Sequence, residues 1–169
     1  MSLTANSLDL VQEFHDDTGI LTPQHACIPD WSPENARDLD LAATFLKTIA
    51  KKLRDSAAKR SAPRCLQRIA LEAEELGEKA DAMARYDLLG VFDGGLDGRY
   101  VGDGTMLECG LGLVFDPGMV LVHDSNMSKK FPDGTFHRDP AGKIIKGPDY
   151  RPVNLRPLLA RVTKKDNQP

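Results

Sequence analysis

Glu74-Glu75-Leu76-Gly77-Glu78, followed by Asp87-Leu88-Leu89-Gly90-Val91-Phe92-Asp93-Gly94-Gly95-Leu96-Asp97-Gly98-Arg99-Tyr100, is the stretch whose reading decides the fold. The first part lies in an unambiguous helix. Ser61-Ala62-Pro63 opens it, and Leu66, Ile69, Ala73, Leu76, Ala80 and Met83 recur every three or four residues. The second part sets two rules against each other. Each glycine in a helix interior costs about 1 kcal/mol, which argues for a loop. Yet Leu89, Phe92 or Asp93, Leu96, Tyr100, Thr105 and Leu107 keep a helical beat. Periodicity carries the reading: a second helix is expected, with its glycines allowing close packing.

Working outward, Leu8, Val11, Phe14 and His15 predict a helix over 4–18, stopped by Gly19. Residues 20–31 read as a loop. Ser32-Pro33-Glu34 combines an N-cap, a proline at the first helical position and an acid in the first turn. Leu39, Ala43, Leu46, Ile49, Ala50 and Leu53 continue that helix towards Arg60, and its basic face (Lys47, Lys51, Lys52, Arg54) reads as solvated surface. Asp116-Pro117 is expected to open a further helix reaching towards Lys129. Residues 135–145 suggest a short hairpin, 154–162 a short helix broken at Pro157, and the tail from Lys164 frayed ends. The expected architecture is all-α. It is a bundle of about four to five helices with a short irregular or hairpin C-terminal appendage, forming one domain over 1–169 with a core at about 32–130 and the appendage at about 131–162.

Composition narrows the function. The 169 residues carry 22 Lys+Arg against 25 Asp+Glu, a net charge of −3, which argues against bulk-charge binding to nucleic acid or anionic membrane. No apolar run approaches the ~20 residues of a membrane span, and no secretion signal opens the chain, so a cytoplasmic protein is expected. Cys27, Cys65 and Cys109 are scattered and read as small buried hydrophobes, and the four histidines show no zinc-ligand spacing.

The acids are less ordinary. Glu75 and Glu78 stand three apart and Glu74 four before Glu78, so on a helix they crowd one face and repel. Asp93 and Asp97 repeat the pattern one helix later. If the two helices pair antiparallel around a turn near Tyr86–Leu89, four or five carboxylates converge, an oxygen set suited to Mg²⁺ or Mn²⁺. Residues 93–104 imitate an EF-hand loop, but Gly95 and Gly104 occupy two ligand positions.

These blocks together resemble the all-α NTP pyrophosphohydrolases, the superfamily of MazG, dimeric dUTPase and phosphoribosyl-ATP pyrophosphohydrolase, whose motif is EExxE on one helix and ExxD on the next. His123-Asp124-Ser125-Asn126-Met127-Ser128-Lys129, Asp133-Gly134 and Gly142-Lys143-Ile144-Ile145-Lys146-Gly147-Pro148-Asp149-Tyr150-Arg151-Pro152 are similar to the later segments of the MazG-like subgroup. The likeness covers about residues 64–158, with an echo in Val11–His15.

The resemblance implies Mg²⁺-dependent cleavage of a nucleoside triphosphate between the α and β phosphates, with Mn²⁺ able to substitute. Glu75, Glu78 and Asp97 match metal-ligand positions, with Glu74 as the neighbouring acid. Position 94, where the first acid of ExxD falls, is glycine here, and Asp93 is the nearest substitute. Glu74 or Glu75 is the candidate general base, and Asn126, Lys129, Lys146 and Arg151 are candidates for the phosphates or sugar. The resemblance also implies a homodimer or higher homo-oligomer. Rival readings are a hydrolase of another phosphate substrate such as phosphoribosyl-ATP, a non-catalytic nucleotide-binding module, and a bundle that binds a protein.

Overall fold

A computed structural model describes residues 6–163, and over these the chain is helical. The elements are α1 (Ser7–Thr18), α2 (Pro33–Ala57), α3 (Arg64–Ala84), α4 (Leu88–Glu108), α5 (Gly112–Met127) and the short α6 (Arg156–Leu159). The expected beginning of the first helix at residues 4–5 and the tail from Lys164 lie outside the described residues. Among the described residues no single helix is long and apolar enough to cross a membrane. An isolated antiparallel bridge, Arg138 to Ile144, stands in place of a hairpin.

Local chemistry sets most ends, though α3 begins at Arg64 with Pro63 as an N-cap that makes no side-chain hydrogen bond, one residue past the expected proline start. Asn6 caps α1 through its side chain and Gly19 closes it at φ 68°. Ser32 accepts a hydrogen bond from the Asn35 amide at 3.1 Å, and Pro33 occupies the first turn of α2. Another boundary differs from expectation. α5 starts at Gly112, so Pro117 lies inside the helix and not at its start, at the cost of one backbone hydrogen bond.

The chain divides into two compact units. One is Pro23–Glu108, holding α2, α3 and α4; the other joins the N-terminal segment through Thr22 to the segment from Cys109 onward.

In the first unit α3 lies between α2 and α4, which make no contact with each other. The buried positions are small: Ala43, Ala50 and Ala57 on α2, Ala70, Gly77, Ala80 and Ala82 on α3, Gly94 and Thr105 on α4. Small side chains let helix axes approach closely, and each buried methyl contributes about 0.8 kcal/mol. Ala43, Ala50 and Ala80 lie on the stripes that marked these helices, whereas their larger neighbours Ile49, Ile69 and Leu76 are 48, 51 and 48 % exposed.

In the second unit α1 packs on α5, and α6 on α5. Leu10, Val114 and Val120 are buried there, with His123 reaching Glu13 at 3.2 Å. Phe14 meets Phe136 edge-on at 5.5 Å, and Lys130 pairs with Asp17 at 2.7 Å. Cys27, Cys65 and Cys109 are free and exposed, against the expectation of burial.

Candidate functional site

The acidic motif is built by the antiparallel pairing of α3 and α4. Tyr86, at φ 56°, sits in the turn between them. Glycines then set the spacing. A β-carbon on Gly90 would stand 2.9 Å from Ala82 Cβ, one on Gly94 3.1 Å from Lys79 Cβ, and one on Gly98 3.9 Å from Glu75 Cβ. That ladder of 82 with 90, 79 with 94 and 75 with 98 brings Asp93 and Asp97 alongside Glu78 and Glu75. A continuous helix through 88–108 also leaves no EF-hand loop.

Electrostatics register the crowding. The Glu75 carboxyl is pushed above the usual carboxylate range, first by burial and then by Glu78, Asp97, Glu74 and Asp93. The five predicted acids therefore feel one another around Glu75. Glu74 differs from the rest, because Arg54 on α2 grips its carboxylate. Among the described residues Glu75, Glu78, Asp93 and Asp97 form no ion pair.

Lys47 and Arg54, read from the sequence as solvated surface, turn towards these acids. Lys47 reaches Asp81 at 2.6 Å, Arg85 holds the other oxygen of Asp81, and Arg54 holds Glu74. Asp81 consequently lies below the usual range, chiefly through the Lys47 hydrogen bond. The signal was present as basic residues on one face of α2, but pairing across helices is not written in a local pattern. A cleft of about 310 Å³ opens here, shared by Glu78 and Asp93 with Lys47, Asp81, Arg85 and Asp87.

The cluster consists of carboxylates only, the donor type that hard cations take, and burial followed by crowding raises the proton affinity of Glu75. In their present rotamers, among the described residues, no three His, Cys, Asp or Glu close around a point that could hold an ion. Gly94 is buried against the Lys79 backbone, where an added β-carbon would be tightly crowded. Asp93, one residue along, is exposed and free of that contact.

The candidate phosphate and sugar ligands belong to the other unit. Lys129 donates to Asn126 Oδ1 at 2.7 Å. The Gly147 amide donates to the Lys129 carbonyl at 3.0 Å, tying the segment that carries Lys146 to the end of α5. Lys146 lies over the Tyr150 ring, 4.4 Å from its centroid. Ser125 and Ser128 both donate to the Arg151 carbonyl, and the Arg151 amide donates back to Ser128 Oγ at 2.9 Å. Asn126, Lys129, Lys146 and Arg151 are thus gathered on one framework at the end of α5. Sequence reading passed over the pairing of buried His123 with exposed Glu13 in the same unit, although both lie in segments that it singled out.

No protein-family model and no curated protein matches the chain. Among solved structures, a candidate NTP pyrophosphohydrolase from Exiguobacterium sp. 255-15 is similar at a TM-score of 0.54 and 21 % identity, over 93 % of each chain. The chain shares the fold of that protein.

Proposed function

We propose that this chain is a Mg²⁺-dependent nucleoside triphosphate pyrophosphohydrolase. It would cleave between the α and β phosphates to release a monophosphate and pyrophosphate, a reaction that removes excess or non-canonical nucleotides. The observation that carries the reading is the convergence of Glu78, Asp97, Glu74 and Asp93 on Glu75 across α3 and α4. The shared fold with a candidate NTP pyrophosphohydrolase supports it.

Glu75, Glu78 and Asp97 would hold the cation, with Asp93 replacing the acid missing at 94. When bound, the cation supplies charge neutralisation and polarisation of the phosphate oxygens. The remaining chemistry belongs to side chains. Glu74 or Glu75 would take the proton of the attacking water. That water attacks the α-phosphorus, the bond to the bridging oxygen breaks, and pyrophosphate leaves. Lys129, Lys146 and Arg151 would neutralise the departing phosphates, and Asn126 would orient phosphate or sugar.

The test is a panel of NTPs and dNTPs with Mg²⁺, scoring pyrophosphate apart from inorganic phosphate. Pyrophosphate release that stops with EDTA supports the proposal. A second reading, a nucleotide-binding module without turnover, is favoured by glycine standing at position 94 in a crowded spot against Lys79. Tight nucleotide binding without hydrolysis would select it.

A further inference from the structure

The two ends of the α3–α4 hairpin are held by different means. At one end the chain itself turns through Tyr86, and the Asp87 carboxylate accepts from the Gly90 amide at 3.0 Å as α4 begins. At the other end a polar network crosses the pair. Arg68 on α3 donates through Nε to Thr105 Oγ1 at 3.1 Å and through Nη2 to the Val101 carbonyl. The Thr105 hydroxyl donates in turn to Glu72 Oε1 at 2.5 Å. Arg68 Nη1 also stands 3.4 Å from Glu108, which Arg64 grips. Thr105 is buried, and only 14 % of the Arg68 side chain is exposed. Gly104 makes room for it: a β-carbon there would lie 2.7 Å from Arg68 Nη2.

What lies between the two ends pushes the helices apart. Glu75 and Glu78 on α3 meet Asp93 and Asp97 on α4, and the neighbouring cations Lys47 and Arg54 are engaged by Asp81 and Glu74. Glycine at 90, 94 and 98 faces α3, so little apolar side-chain area joins the helices along this stretch. The network at the open end is charge-balanced, Arg64 and Arg68 against Glu72 and Glu108, and draws the helices together without adding to the repulsion. An enclosed guanidinium and hydroxyl are costly to leave unpaired, so such a network is satisfied in one placement of the two helices.

We propose that Arg68, Thr105 and Glu72 are positioning residues: they clasp the open end of the hairpin and so keep Asp93 and Asp97 against Glu75 and Glu78. The clasp stands apart from the acids it positions. Glu72 lies about 4.5 Å along the helix before Glu75, and Thr105 about 12 Å beyond Asp97. It therefore acts through the placement of the helices. All of its members belong to one compact unit, Pro23–Glu108. That the clasped acids take up a cation rests on the function proposed above; the clasp itself stands whether or not they do.

The test removes the hydroxyl and keeps the shape. With Cys27 and Cys109 changed to serine, spin labels on the natural Cys65 and on Leu107→Cys, both exposed, straddle the open end. Dipolar EPR of this full chain, diluted with unlabelled chain, is expected to give one narrow distance. Thr105→Val should add a longer one as the helices splay, and Thr105→Ser, which keeps the hydroxyl, should restore the single distance. Ala70→Gly weakens α3 at a buried position outside the network and should keep the single distance. In unlabelled chains, Mn²⁺ affinity read from the EPR signal of the ion should fall at least tenfold in Thr105→Val and less than twofold in Thr105→Ser and Ala70→Gly. If Thr105→Val does not fold, Gly104→Ala takes its place, because alanine favours the helix while its β-carbon crowds the guanidinium, and it too should splay. A single unshifted distance in the variant used overturns the clasp, as does a splayed Ala70→Gly or an unrestored Thr105→Ser. A splayed hairpin that binds Mn²⁺ as tightly as the natural protein overturns the positioning role. A natural protein that binds no Mn²⁺ counts against the function proposed above, and the distances then decide the clasp alone.

Discussion

Gly94 lies against the backbone of Lys79: a β-carbon at 94 would come within 3.1 Å of Lys79 Cβ and 3.2 Å of its Cα and N. Because the neighbour is largely main chain, it cannot swing aside. Gly94→Ala gains about 1 kcal/mol of helix propensity but incurs overpacking of about 1–3 kcal/mol. The expected net is a loss of about 1 kcal/mol, and Gly94→Glu should be far worse. Gly95, one position on, has nothing within 4 Å of its absent β-carbon. Gly95→Ala should therefore stabilise by about 0.5–1 kcal/mol. Urea unfolding of the two alanine variants measures the contrast, and equal effects would refute the close approach.

The same helix shows what sequence conveys and where it stops. The beat of Leu89, Phe92, Leu96 and Tyr100 correctly marked a helix through a glycine-rich stretch, since periodicity depends on backbone geometry. The glycines, expected to allow close packing, do so at Gly94, which is buried against Lys79, while Leu89, Phe92, Leu96 and Tyr100 stay exposed. Ser32-Pro33 and Gly19 fixed their helix ends, because caps act within a few residues. The meeting of Glu75 with Asp97 could be foreseen from two spacings and a turn. The grip of Arg54 on Glu74 could not, since it depends on how two helices are rotated against each other.

The crowding at Glu75 predicts an opposing pair of effects. Without metal its charge is disfavoured by burial and then by four neighbouring acids, so Glu75→Gln should raise the melting temperature in EDTA. Millimolar Mg²⁺ should raise the melting temperature of the natural protein by mass action, and this response should vanish in Glu75→Gln and in Asp97→Asn. A natural protein whose melting temperature ignores both Mg²⁺ and Mn²⁺ would argue heavily against a carboxylate metal site.

Gly147 passes close beneath two carbonyls: a β-carbon there would lie 2.2 Å from the Lys130 oxygen and 2.9 Å from that of Lys129. Gly147→Ala should therefore push the 146–150 segment off the end of α5, at a cost on the order of 2 kcal/mol. If Lys146 and Arg151 neutralise the leaving pyrophosphate, Lys146→Ala or Arg151→Ala should lower kcat/KM at least tenfold, about 1.4 kcal/mol, without touching the Mg²⁺ response. Kinetics matching the natural protein in both variants would reassign these residues to plain surface.

Asp133 supplies a pH dependence with a definite sign. Its carboxylate accepts from the Thr135 amide at 2.9 Å, stands 2.9 Å from His137 Nε2, and accepts from the Thr135 hydroxyl at 2.8 Å. These bonds, the backbone one first, hold its pKa down at about 2, against 3.8 for a free aspartate. A depressed folded-state value means that the ionised carboxylate stabilises the fold. The contribution is complete above 3.8 and is lost as pH falls through about 2. Asp133→Asn should accordingly be less stable than the natural protein at neutral pH, and the gap should close as pH drops from about 4 to about 2. The stacking of His137 on Phe131, with centroids 3.9 Å apart, depends on the same anchor and should loosen in the variant. Urea unfolding of both proteins across that range reads the gap, and aromatic NMR shifts of His137 and Phe131 read the anchor. A gap that persists undiminished at pH 2 would show that Asp133 acts through something other than its charge.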